Sequence, residues 1–126
     1  MKETKFYVCE ECGNIVGLIH DSGAPLSCCG QRMKELKAGT VEASREKHIP
    51  VVKVEGNTVK VSVGSVAHPM AEEHHIAWVY LLTDKGGQRK NLEVASAPEV
   101  TFALADEKPV AVYAYCNLHG LWKVDI

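Results

Sequence analysis

Val51-Val52-Lys53-Val54-Glu55-Gly56-Asn57-Thr58-Val59-Lys60-Val61-Ser62-Val63 is the stretch that decides the fold. Gly56-Asn57 is a two-residue hairpin signal, and after it Val59, Val61 and Val63 share one face against Lys60 and Ser62, the period of a half-buried strand. Working outward, Ile76 to Leu82 is a continuous apolar run of strand length, suited to burial on both faces and ended by Thr83-Asp84-Lys85-Gly86-Gly87. Gln88 to Val94, Val100 to Leu104 after Pro98, Val110 to Cys116 after Pro109, and Leu121 to Val124 continue the pattern. Seven short strands with turn signals between them predict an all-β sandwich. A helix is conceivable only over Thr40 to Lys47, stopping where His48-Ile49-Pro50 forces an extended backbone.

The chain has 126 residues, 46% of them apolar, which is a globular composition rather than that of a disordered tail or a fibre. Fourteen basic against sixteen acidic residues leave a net charge of -2, spread evenly, so no basic face is implied and nucleic acid is not an expected partner. No apolar run approaches the ~20 residues that cross a bilayer, and Met1-Lys2-Glu3-Thr4-Lys5-Phe6-Tyr7 holds no apolar signal core. A cytoplasmic protein without membrane contact is therefore expected. Five cysteines are an odd number and two are adjacent, which favours metal ligation over a disulfide framework.

Four of the five, Cys9, Cys12, Cys28 and Cys29, lie in the first 36 residues, where little apolar periodicity is visible. A segment that short needs a staple to fold. The expected division is a small domain over residues 1–37 and the sandwich over 38–126. Cys9-Glu10-Glu11-Cys12-Gly13 is a metal knuckle, in which the two intervening residues let both sulfurs turn toward one ion. Four thiolates in tetrahedral array select zinc or iron. A zinc ribbon would normally repeat the Cys-x-x-Cys spacing, whereas here the second pair is Cys28-Cys29-Gly30, a pattern that resembles the rubredoxin-like iron domain desulforedoxin.

Four of the six histidines fall at segment ends of the second domain: His48 before Ile49-Pro50, His68 before Pro69, His74 after Ala71-Glu72-Glu73, and His119 in Cys116-Asn117-Leu118-His119-Gly120. Strand ends and loops are where a sandwich carries function. Cys116-x-x-His119, just past an apolar strand, lets a thiolate and an imidazole converge on one ion. His20 lies outside every motif and reads as a solvated loop residue. Trp78 reads as core, and Trp122, close after His119, as a cover for the metal site.

Together, Cys9-x-x-Cys12, Cys28-Cys29-Gly30, Glu46-Lys47-His48-Ile49-Pro50, Gly64-Ser65-Val66-Ala67-His68-Pro69-Met70 and Cys116-Asn117-Leu118-His119-Gly120 resemble desulfoferrodoxin, the family of two-iron superoxide reductases, over almost the whole chain. The resemblance implies a desulforedoxin-like domain with one iron in Cys9, Cys12, Cys28 and Cys29, followed by an immunoglobulin-like sandwich. In the sandwich it implies a second iron in the plane of His48, His68, His74 and His119, with Cys116 as axial thiolate. His74 is selected over His75 by its place six residues after His68; a loop shifted by one residue would put His75 there instead. By the same resemblance, Lys47 draws the anion toward the open face, and the sixth position is left open or is taken by Glu46 in the ferric ion.

The implied activity is reduction of superoxide to hydrogen peroxide, a detoxification of oxidative stress, with a rubredoxin-like protein as electron donor and a homodimer as the assembly. Two other readings stand beside it. One is an electron-transfer metalloprotein, either rubredoxin-like or a cupredoxin in which copper sits in two histidines, a cysteine and an axial methionine, although no methionine follows His119. The other is an interaction module stapled by zinc.

Overall fold

A computed structural model describes residues 3–126 and divides the chain between Lys37 and Ala38. The first unit contains β1 (Phe6–Val8), β2 (Ile15–Gly17), β3 (Ser27–Cys28), β4 (Gln31–Arg32) and β5 (Lys34–Leu36). β1 lies between β2 and β5 in an antiparallel sheet, and β3 and β4 form a separate hairpin. Strands of two or three residues are too short to display an alternation, which is why the sequence shows none here. Among the described residues of this unit only Phe6 and Cys9 are buried. Two side chains are far less than a core needs, so the fold of this unit depends on what its cysteines hold.

The second unit opens with α1 (Arg45–His48), followed by β6 (Pro50–Glu55), β7 (Thr58–Val63), β8 (Ile76–Thr83), β9 (Gly86–Asn91), β10 (Glu99–Ala103), β11 (Pro109–Cys116) and β12 (Gly120–Asp125). Its strands form two antiparallel sheets, β10-β7-β6 and β12-β11-β8-β9. The valine hairpin forms around Gly56-Asn57, pairing Glu55 with Thr58 and Pro50 with Val63. Val59, Val61 and Val63 point inward with Phe102, and meet Ile76, Val79, Leu81, Val112, Ala114 and Cys116 from the other sheet. Burying each large apolar side chain of this layer contributes roughly 1.5–3 kcal/mol. Cys116 thus lies at one end of the sandwich core.

The continuous apolar run of β8 is covered on its outer face by aromatic neighbours. Trp78 stacks on Tyr115 with ring centroids 5.4 Å apart and planes 7° from parallel, and Tyr80 meets Tyr113 edge-on at 6.0 Å. Cross-strand aromatic pairs of this kind add to the sheet beyond simple burial.

Two expectations need correction. The helix conceivable over Thr40 to Lys47 is a single turn, Arg45–His48, because four residues cannot sustain a helix by themselves. The turn is held by tertiary bonds: the Glu46 carbonyl accepts from the Val66 N–H at 2.9 Å and from Ser65 Oγ at 3.1 Å. The strand expected over Gln88 to Val94 is Gly86–Asn91, set by its pairing with β8 from Thr83↔Gly86 to Trp78↔Asn91. No helix among the described residues is long and apolar enough to cross a membrane.

Candidate metal centres

In the first unit the Sγ atoms of Cys9, Cys12, Cys28 and Cys29 all lie within 4.8 Å of one another. The Cys12–Cys28 and Cys28–Cys29 sulfur separations are 3.7 and 3.9 Å. Tetrahedral ligation with metal–sulfur bonds of about 2.3 Å requires sulfurs about 3.8 Å apart, so the array has the dimensions of a four-thiolate cage. The knuckle is closed by the Gly13 N–H donating to the Cys9 carbonyl at 2.8 Å, and the Cys12 N–H lies 3.5 Å from Cys9 Sγ.

The adjacent pair reaches one point because Cys29 and Gly30 are the two central residues of the β3–β4 hairpin, with φ of 54° and 73°. Positive φ at both positions is the tight hairpin turn whose twist matches its strands. The thiols are in conflict without a cation. Cys9 is drawn down to about 7, chiefly by the Cys12 backbone N–H, while Cys29 is pushed up to about 12, chiefly by its contact with the Cys12 side chain. A positive ion at the centre removes that conflict by favouring all four thiolates.

In the second unit His48, His68, His74 and Cys116 present donor atoms within 4.8 Å of one another. His119 joins them with Nδ1 3.1 Å from His48 Nε2 and 3.9 Å from Cys116 Sγ. His48 ends α1, His68 lies in the loop after β7, His74 precedes β8, Cys116 ends β11 and His119 sits in the turn to β12. The four rings form a square. Neighbouring centroids are 4.6 Å (His48–His68), 4.6 Å (His68–His74), 5.1 Å (His74–His119) and 5.0 Å (His48–His119), with planes 79–82° apart. The His48–His74 diagonal is 6.3 Å with planes 32° apart.

The nitrogen separations show what this square fits. His48 Nε2 is 3.1 Å from His68 Nε2 and 3.1 Å from His119 Nδ1. With metal–nitrogen bonds of about 2.1 Å, a square plane puts adjacent nitrogens about 3.0 Å apart and a tetrahedron about 3.4 Å. Four imidazoles arranged as a square beside a cysteine suit iron better than structural zinc, which takes tetrahedral sites.

The carbonyls around the rings decide which nitrogen faces inward. His48 Nδ1 donates to the Ser44 carbonyl at 2.6 Å and His68 Nδ1 to the Pro69 carbonyl at 2.7 Å. Each neutral ring then has only a lone pair at Nε2, so two acceptors face each other at 3.1 Å with no proton between them. His74 Nε2 is buried with no hydrogen-bond partner. Burial holds His48, His68 and His74 below the ordinary histidine range, His68 down to about 4, and the Lys47 charge adds to the effect on His48 and His74. Unprotonated, convergent and unpartnered nitrogens are what a cation requires.

Of the adjacent histidines, His74 is in the square. The His75 ring turns back, with Nδ1 3.0 Å from the Ala71 carbonyl and 3.1 Å from that of Glu72. Trp122 lies against His48 with centroids 4.9 Å apart and donates Nε1–H to the His119 carbonyl at 3.1 Å. Glu46 is exposed and Lys47 half-buried. Gly64 brings the His68 loop against α1. A Cβ there would stand 2.6 Å from the Glu46 carbonyl oxygen and 2.8 Å from that of Ile49.

The carbonyls of Ser44 and Pro69 have no sequence signal, since any residue supplies one. Asn117 has one, standing directly after Cys116, although metal-ligand spacing assigns it no role.

A β-sandwich with four imidazoles squared beside a buried cysteine, in a chain that also carries a cage of four cysteines, defines a non-haem metalloprotein with two mononuclear centres. The family model described as Desulfoferrodoxin matches residues 40–125, and that described as Desulfoferrodoxin, N-terminal domain, matches residues 1–36. The chain belongs to the desulfoferrodoxin family. It is 47% identical over 121 residues to the desulfoferrodoxin of Nitratidesulfovibrio vulgaris, covering 96% of this chain and 95% of that protein. The crystal structure of the superoxide reductase from Treponema pallidum is similar with a TM-score of 0.84 and 47% identity, over 98% of this chain and 100% of that one. The superoxide reductase of Giardia intestinalis is similar with a TM-score of 0.56 and 32% identity, over 64% of this chain and 97% of that one.

Proposed function

We propose that this protein is a superoxide reductase, in which each superoxide takes one electron and two protons to become hydrogen peroxide. The observation that carries this reading is the square of four imidazole rings, in which His48 Nε2 lies 3.1 Å from both His68 Nε2 and His119 Nδ1, at the end of the core that holds Cys116. Iron held at that centre would supply the electron by one-electron oxidation from the ferrous state. Four neutral rings and one thiolate leave a divalent ion a net positive charge, which favours an anionic substrate. His48, His68, His74, His119 and Cys116 would hold that iron.

Lys47 directs the anion. Its charge reaches both His48 and His74, and focusing of this kind raises association rates by roughly 10 to 10³-fold. Glu46 would offer a hard oxygen ligand to ferric iron, so Glu46→Ala is expected to change the ferric spectrum more than the rate. The four-cysteine centre leaves no position for substrate, so its iron would hold an electron instead of a ligand.

Residues 1–37 thus act as a redox accessory to the reductase domain at 38–126. A rubredoxin-like donor and a homodimer complete the proposal. So does a cytoplasmic location, where five unpaired cysteines stay reduced. The cupredoxin alternative is disfavoured by the fourth histidine and by Met70, whose sulfur takes the Ile76 N–H at 3.4 Å.

The test is to mix the reduced, iron-loaded protein with superoxide without oxygen. One hydrogen peroxide per ferrous centre oxidised, with no dioxygen released, is the expected result. Dioxygen evolution, or a ferrous centre indifferent to superoxide, overturns the assignment.

A further inference from the structure

We infer that Asn117 is a positioning residue that clamps the segment carrying His74 to the segment carrying Cys116, an inference resting on the reading of these two as ligands of one metal. Asn117 Oδ1 accepts from the His75 N–H at 2.9 Å, and its Nδ2 donates to the Glu73 carbonyl at 3.1 Å. The Asn117 N–H donates to the His75 carbonyl at 3.2 Å. The side-chain bonds thus hold the backbone groups on either side of His74, across 42 and 44 residues of sequence, from the position next to Cys116.

The sheet explains why such a clamp is needed. The β8–β11 ladder ends at Cys116↔Ile76, after a register shift between Tyr115 and Cys116. Past that point the Asn117 N–H to His75 carbonyl bond is the next backbone link, while the His75 N–H and the Glu73 carbonyl take side-chain partners. A primary amide offers an acceptor oxygen and N–H donors in a single plane, much as a peptide group does, and so continues the ladder for one more step. The loop bearing His74 otherwise closes on itself: Ala71 and His74 exchange N–H to carbonyl bonds at 3.0 and 3.1 Å, and the His75 ring braces the Ala71 and Glu72 carbonyls. Asn117 carries the connection from that closed loop to the thiolate strand.

The test uses the full chain with cobalt(II) as the probe, titrated after the four-cysteine centre is filled. In Asn117→Ala the affinity for cobalt at the second centre is expected to fall about 10–100-fold, the range for losing a partner that orients a ligand. The thiolate-to-cobalt charge-transfer band should shift, while the bands of the first centre stay unchanged. Asn117→Asp keeps the acceptor for the His75 N–H and loses the donor to Glu73, so it should fall between.

In a His74→Ala background, adding Asn117→Ala should cost no further affinity, since the clamp acts through His74. Unchanged affinity and band in Asn117→Ala overturn the proposal, as does an undiminished further loss in the His74→Ala background. Should Asn117→Ala fail to fold, the isosteric Asn117→Asp is judged by the same two readings. Absence of cobalt binding in the unsubstituted chain overturns the ligand reading and the clamp with it. No measurement requires turnover, so failure of the reductase chemistry leaves the result on Asn117 intact.

Discussion

Gly64→Ala tests how tightly the second centre is built. The added methyl would stand 2.6 Å from the Glu46 carbonyl oxygen, 2.8 Å from that of Ile49 and 3.0 Å from the Lys47 carbonyl carbon. All three are backbone atoms, so no side chain can swing aside. Carbon–oxygen contacts settle at about 3.3 Å or more, which requires the His68 loop and α1 to separate by about 0.7 Å. Overpacking of this kind costs about 1–3 kcal/mol. The same displacement acts along the His48–His68 edge of the square, where the nitrogens are 3.1 Å apart, and should weaken metal binding there about 10–100-fold. Urea denaturation of the metal-free chain measures the first effect, and competition with a chromophoric chelator measures the second, with the four-cysteine centre as internal control. Stability and second-site affinity both matching the unsubstituted protein would show that α1 and the His68 loop do not set the geometry as described.

His74→Ala should weaken metal binding at the second centre severely while leaving a measurable affinity, whereas His75→Ala should keep the metal at full affinity and lose about 1 kcal/mol from the turn it braces; metal titration with thermal denaturation separates them, and loss of affinity in His75→Ala alone would refute the placement. In the metal-free chain His68 is held down to about 4 against 6.5 when unfolded, so its contribution is complete above pH 6.5 and is lost as pH falls toward 4, amounting to about 3 kcal/mol. His48 and His74 act in the same direction. Denaturation midpoints that stay level from pH 7 to pH 5 would contradict this. Lys47→Ala should slow the second-order reaction with superoxide by about 10-fold or more and flatten its dependence on ionic strength, with iron still bound; an unchanged rate constant removes Lys47 from the approach path.

The sandwich was legible because its strands are long enough to show a period. Val59, Val61 and Val63 alternate with polar residues, Gly56-Asn57 marks the turn, and β8 is an uninterrupted apolar run. The strands of the first unit were not legible, being held by cysteines and turns rather than by an apolar face. The hairpin turn at Cys29-Gly30 was hidden for a further reason, since cysteine is not a residue expected at positive φ.

The candidate site was legible as a set of residues, through motif spacing and family resemblance. Its shape was not. The square joins segments as far apart as His48 and His119, and its orientation depends on the Ser44 and Pro69 carbonyls. Only in three dimensions does His75 become a brace for the turn and Asn117 a bridge between two strands.

The convergence of α1, the His68 loop, the start of β8 and the β11–β12 turn on one point has a consequence for the life of the chain. An ion held there is a multi-way cross-link, joining residues 20 and 71 positions apart through His48 alone. Closing such long loops removes entropy from the unfolded ensemble much as a covalent bridge does. Demetallation is then partly an unfolding event: the end of the sandwich that carries the chemistry would fray first, with hydrogen exchange rising at the 64–75 and 116–120 segments before the valine core opens. Iron supply would set how long the protein persists as well as whether it works.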